Sequence, residues 1–185
     1  MELVGVEYLE SIYGPPPQPI NSLEDLEAVL VDGLPAFRND PQRTGLVILD
    51  RGWANENLVL EWFPLLGMMY VNRAMVIPLF LVMSEIAASP YSDYIKPKQC
   101  GIFAPRRIGW KPRTRLSWHA IAMAVDINWN ENSYGKTDTT IRQNMWIVDV
   151  FKKHGFHWGG DWTTPDDMHF QYGHKRVFLP ARSES

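Results

Sequence analysis

Hydrophobic and polar positions alternate at different periods along the chain, and the changes of period mark its elements. In "NSLEDLEAVLVDG" apolar residues recur at helical spacing behind Ser22, acidic residues fill the first turn, and Gly33 offers a stop; the pattern predicts a short capped helix. "TGLVILD" is dense in branched residues and predicts a strand. The segment Asn55–Pro64 fits neither period, and its neighbourhood of Trp53, Trp62 and Phe63 suits a core or a cleft equally. "MMYVNRAMVIPLFLVMSEIAA" is interrupted by Asn72, Arg73 and Pro78, so it predicts a buried strand followed by a helix that begins near Pro78 and runs to about Ala88, with no membrane span.

Further along, "QCGIFA" predicts a short strand, "PRRIGWKPRTR" a basic loop, and "MAVDINW" a strand by alternation. "TTIRQNMWIVDVFKKHG" predicts a helix with Ile141, Met145, Ile147, Val148 and Phe151 on its apolar face. "FHWGG", a turn, the strand "MHFQY" and a polar tail complete the chain. The N-terminal residues 1–21 end in "YGPPPQP", whose prolines favour an extended, polyproline-like arm. The expected architecture is α+β, with residues 1–45 as an N-terminal arm carrying a short helix and residues 46–185 as the working domain.

Composition narrows the chemistry. Of 185 residues, 45% are apolar and 21% charged, as in an ordinary globular domain. The net charge of −3 argues against nucleic acid as a partner. The single cysteine, Cys100, forms no internal disulfide and no thiolate cluster, and is expected to be a small buried residue. A metal would therefore need His, Asp or Glu ligands. "MELVGVEYLE" lacks the basic and apolar regions of a secretory signal, so the expectation is a soluble monomer without its own export address.

One carboxylate stands out. Asp126 lies in the apolar run "SWHAIAMAVDIN", seven residues after His119, and a buried unpaired carboxylate costs several kcal/mol, roughly, unless something is paired with it. Of five histidines, His119 and His169 are embedded near acids in strand-like segments, His169 in "PDDMHFQY"; His154, His157 and His174 are expected at a helix end, a strand and the tail. Two histidines and an aspartate make a three-ligand catalytic zinc set, water taking the fourth position, and a carboxylate just ahead of the last ligand can serve as base. The zincin pattern HExxH is absent, and a Ser117–His119–Asp126 triad lacks a nucleophile elbow.

"LSWHAIAMAVDIN" followed by "GFHWGGDWTTPDDMHFQYG" resembles the zinc peptidases that include D-alanyl-D-alanine carboxypeptidases and phage L-alanyl-D-glutamate endolysins, whose pattern is S-x-H-x-x-G-x-A-x-D, a W-G-G-x-W turn and a closing D/E-x-x-H. The resemblance is strong over residues 98–173, extends back to about residue 68, and does not reach residues 1–50. It implies a small antiparallel sheet with flanking helices around one zinc ion, held by His119, Asp126 and His169. It further implies Asp166 as catalytic acid/base, an arginine at Arg106 or Arg107 for a carboxylate or oxyanion, and a cleft shaped by Trp162, Trp118 and Ser117.

Asp167 competes with Asp166, because strand alternation would set Asp167 and His169 on one face; the motif favours Asp166. Ala122 stands where the family has glycine, and its added methyl is expected to tighten packing. The implied substrate is a peptidoglycan stem peptide. The absent leader fits a phage-type lysin, cytoplasmic until released to the wall, or a virion-associated enzyme. The contrasting reading is a non-catalytic zinc-containing module that binds the wall or a protein.

Overall fold

In a computed structural model, which describes residues 2–174 together with 177 and 179, the apolar run at the centre of the chain folds as a strand and then a helix. Strand β4 (Gly67–Asn72) leads through a short 3-10 turn into α4 (Val76–Ala87). Pro78 lies in the first turn of α4, where a missing N–H costs nothing. Val76, Ile77, Leu79, Val82, Met83 and Ile86 are all buried, so α4 is the central helix. Around it pack α1 (Glu2–Tyr13), α5 (Met145–Lys153) and β3 (Leu58–Phe63).

The strands form three small antiparallel sheets. β1 (Phe37–Asn39) pairs with β2 (Val47–Leu49), β3 pairs with β4, and a three-stranded sheet runs in the order β5 (Ala124–Asp126), β7 (His169–Gln171), β6 (His157–Trp158). In this last sheet β7 is central and wholly buried. Its register sets Asp126 opposite His169 and Ala124 opposite Gln171. Beneath it, Phe151 of α5 stacks on Phe170 with centroids 3.9 Å apart, and Phe156 meets Phe151 edge-on. The architecture is α+β, as expected. Among the described residues no helix is long and apolar enough to cross a membrane.

Four local expectations are corrected. Residues 1–21 are helical in their first part, as α1, with Leu9 buried. The proline-rich stretch that follows is extended but held against the domain: Tyr172 Oη donates to Pro17 O at 2.8 Å, and His174 N to Ile20 O at 2.7 Å. α2 (Leu23–Val29) has the expected Ser22 cap, with Asp25 completing a capping box. It ends before Gly33, because Asn57 takes both polar groups of the Val31 backbone.

The strand expected at "QCGIFA" is a single bridge, Gly101 to Asp126. Its neighbouring polar groups serve the His119 segment instead: Ala104 N donates to His119 O, and Ile102 O accepts from the His119 ring. The helix expected from Thr139 begins only at Met145. Asn132 Oδ1 accepts from Thr140 Oγ1 and Ile141 N, and Asp167 engages Thr139 and Arg142, so tertiary hydrogen bonds hold that stretch out of a helix. The ambiguous segment resolves into α3 (Arg51–Asn57) and β3, with Trp53 and Phe63 in the core and Trp62 exposed.

Candidate metal centre and active-site cleft

His119 belongs to a 3-10 turn, Trp118–Ile121, which Ser117 caps by accepting from His119 N. The turn ends at Ala122, whose φ of 54° and ψ of 37° lie in the left-handed region. There the chain reverses into β5 and brings Asp126 back toward His119. Asn72 secures the reversal, donating from its main chain to Ala122 O and from its side chain to Ile121 O. The methyl of Ala122 is buried, and the backbone adds a second requirement at this position. The position also demands left-handed backbone, which glycine adopts freely and alanine at a cost of about 1–2 kcal/mol.

Two ring nitrogens and a carboxylate oxygen converge, while the other nitrogen of each ring is bound elsewhere. His119 donates from Nδ1 to Ile102 O at 2.7 Å, which leaves a lone pair on Nε2. His169 donates from Nε2 to Gln171 Oε1 at 3.2 Å, which leaves a lone pair on Nδ1. His119 Nε2 is 3.1 Å from His169 Nδ1 and 3.1 Å from Asp126 Oδ1, and the last two atoms are 3.2 Å apart. With both rings neutral, three acceptors lie at this spacing, and a positive charge among them, a proton or a cation, would relieve their repulsion. The three residues could hold a metal ion, and two imidazoles with one carboxylate are a donor set of the kind zinc takes. Burial pushes the Asp126 carboxyl upward, but the two rings beside it hold it well below the usual carboxylate range.

Beside this cluster the structure separates the two candidate bases. Asp167 is fully buried, and its carboxylate is bound by Thr139 Oγ1 and by Arg142 through Nε at 2.6 Å and a terminal nitrogen at 2.7 Å. Asp166 lines the cleft, and its buried Oδ1 has no hydrogen-bond partner. Burial raises the Asp166 carboxyl, and the Asp126 charge raises it further, against the opposing pull of His169, His119 and Arg106. Gly159 permits this placement. A Cβ there would sit 2.5 Å from Asp166 O, and Asp166 N donates to Gly159 O.

The two arginines also part company. Arg106 lines the cleft, with its guanidinium 5.3 Å from the Trp110 ring centroid. Burial lowers its pKa, while Asp126 and Asp166 act to raise it. Arg107 is buried outside the cleft, donating to Asn39 Oδ1 and Thr114 O over the Phe37 ring.

The cleft has a volume of about 810 Å³. Ser117, Trp118 and Trp162 all line it, Trp162 with its ring 5.3 Å from that of His169. Arg106, Lys111 and Arg115 of the basic loop line it as well. Trp158 is a buried support, donating from Nε1 to Asp167 O. Cys100 is buried, and burial pushes its thiol up to about 11. The residues that sequence reasoning passed over are Gln171, Arg142 and the carbonyl of Ile102. Only the first has a local signal, since it shares a strand face with His169.

The segment that carries these residues has a counterpart among known families. Residues 111–172 match the D-alanyl-D-alanine carboxypeptidase family. The matched D-alanyl-D-alanine carboxypeptidase segment contains His119, Asp126, Asp166 and His169, whereas Arg106 and Arg107 precede it. The match supports a peptidase that acts on peptidoglycan. Among curated proteins and among solved structures, nothing matches the chain.

Proposed function

We propose that this chain is a zinc-dependent peptidase that hydrolyses peptidoglycan stem peptides, of the L-alanyl-D-glutamate endopeptidase or D-alanyl-D-alanine carboxypeptidase type, working as a phage-type lytic enzyme with residues 46–185 as its catalytic domain. The observation that carries this reading is the convergence of three potential ligand atoms, from His119, Asp126 and His169, beside the partnerless carboxylate oxygen of Asp166. Zinc held by three such ligands lowers the pKa of a bound water to about 7 and polarises a carbonyl.

The chain's own groups do the remaining work. Asp166 Oδ1 accepts the proton of the attacking water and returns it to the leaving amine, a role suited to a carboxyl whose pKa is raised toward the working pH. Arg106 offers its guanidinium to a substrate carboxylate or to the developing oxyanion. Trp162, Trp118 and Ser117 shape the cleft around the peptide. Lys111 and Arg115 add positive charge along its wall, which suits an acidic stem peptide.

The test is to incubate the purified protein with peptidoglycan and identify the released ends by mass spectrometry. New D-Glu amino termini identify an endopeptidase, and free D-Ala identifies a carboxypeptidase. Bound zinc without turnover would overturn the proposal in favour of a binding module.

A further inference from the structure

The two histidine ligands are held in opposite tautomers by different kinds of partner. His119 presents Nε2 and is fixed by a main-chain carbonyl, Ile102 O. His169 presents Nδ1 and is fixed by a side chain, that of Gln171. Both residues lie on β7 two positions apart, so their side chains project to the same face of the strand.

Gln171 is 2% exposed, and its amide is committed at both ends. Its Nε2 donates to Gly173 O at 2.9 Å, which turns Oε1 toward His169. An oxygen there can only accept, so His169 Nε2 carries a proton, and in the neutral ring Nδ1 carries the lone pair. The anchor is itself held in place. A Cβ on Gly173 would lie 2.4 Å from the Trp118 ring, so this indole packs flush on the residue that fixes Gln171. Trp118 immediately precedes His119, and the packing therefore joins the two ligand segments from behind.

We infer that Gln171 is a positioning residue for the metal centre, selecting the His169 tautomer that directs Nδ1 at His119 and Asp126. The inference rests on the metal reading of that cluster. A neutral amide orients the ring without adding a further carboxylate to Asp126 and Asp166. Removing such an outer partner weakens metal binding by about 10- to 100-fold.

The experiment compares the wild-type protein with Gln171→Met and Gln171→Glu. Zinc affinity is measured by competition with a chromophoric chelator, and the His169 ring nitrogens are observed by ¹⁵N NMR in the zinc-loaded protein. Thermal unfolding of the metal-free forms monitors the fold. The methionine variant, which fills the space without an acceptor, is expected to bind zinc about 10- to 100-fold more weakly. The glutamate variant, which keeps an acceptor for His169 but loses the donor to Gly173 O, is expected to lose less affinity than the methionine variant. Wild-type His169 is expected to show a protonated Nε2 and a zinc-bound Nδ1.

Equal affinity in the methionine variant, equal losses in both variants, or zinc on Nε2 of wild-type His169 would overturn the inference. Zinc on Nε2 of wild-type His169 would overturn the inference even if a variant does not fold. Failure of the wild type to bind zinc would overturn both this inference and the metal reading. Wild-type binding without a Gln171 effect would overturn the inference alone.

Discussion

Asp166 and Asp167 are consecutive in the chain, yet their carboxylates occupy opposed environments: Asp167 is clamped by Arg142 and Thr139, whereas Asp166 Oδ1 is buried at the cleft without a partner. Asp166→Asn is expected to fold, to melt at or above the wild-type temperature, and to hydrolyse peptidoglycan about 10²- to 10⁴-fold more slowly. Asp167→Ala is expected to lose about 2–3 kcal/mol of stability. The loss is smaller than for a fully enclosed pair, because Arg142 keeps 31% of its side chain exposed. Calorimetric melts and hydrolysis rates on both variants check the split, and an exchange of phenotypes would reverse the assignment.

The adjacent arginines divide in the same way. Arg106→Ala is expected to keep the wild-type fold and lose about 10²- to 10³-fold in kcat/KM, the magnitude for removing a donor to a developing oxyanion. Arg107→Ala leaves Asn39 Oδ1 and Thr114 O without this donor and is expected to destabilise by about 1–3 kcal/mol. Urea unfolding and steady-state kinetics on the pair separate the two effects.

At Ala122 the backbone is left-handed and the methyl is fully buried. Ala122→Gly relieves the backbone cost of about 1–2 kcal/mol but frees the unfolded chain and removes a packed methyl, so its stability should stay within about 1 kcal/mol of wild type. Ala122→Val places a branched side chain in the same conformation and the same space, and should cost more than about 2 kcal/mol. Urea midpoints of the two variants provide the comparison. A glycine variant as unstable as the valine variant would contradict the backbone account.

A pH-dependent contact joins α4 to the end of α5. Glu85 accepts from Lys153 Nζ at 2.8 Å and lies 2.9 Å from His154 Nε2, and these partners, Lys153 foremost, lower its pKa against the effect of burial. Its folded value therefore lies below its unfolded value. The stabilisation is fully present above the unfolded value and disappears as pH falls through the folded one. Glu85→Gln is expected to cost at most about 1 kcal/mol at neutral pH, because the pair is partly solvated. The two proteins should converge in stability well below about pH 4. Unfolding curves across that range test the sign.

Patterning made the centre of the fold legible. β4 and α4 follow from an apolar run broken by Asn72 and Arg73, and β5 and β7 from alternation around Asp126 and His169. The grouping of His119, Asp126 and His169 was suggested by an aspartate anomalous in an apolar strand and by the family resemblance. The misread stretches are those in which a distant side chain competes with the local backbone. Asn132 and Asp167 hold Thr139–Arg142 out of a helix, and Asn57 closes α2 early. The motif favoured Asp166, but the clamp on Asp167 was invisible for the same reason, since Arg142 lies 25 residues away in the chain. Proline content overshadowed α1, whose packing on α4 local sequence does not encode.

The central claim is that a metal held by His119, Asp126 and His169 is required for peptidoglycan hydrolysis. It is tested most directly by following that hydrolysis after chelation and after stoichiometric zinc is returned. Loss of activity on chelation and recovery with one equivalent of zinc is the expected result, with no recovery in Asp126→Ala. Undiminished hydrolysis by the metal-stripped protein would contradict it.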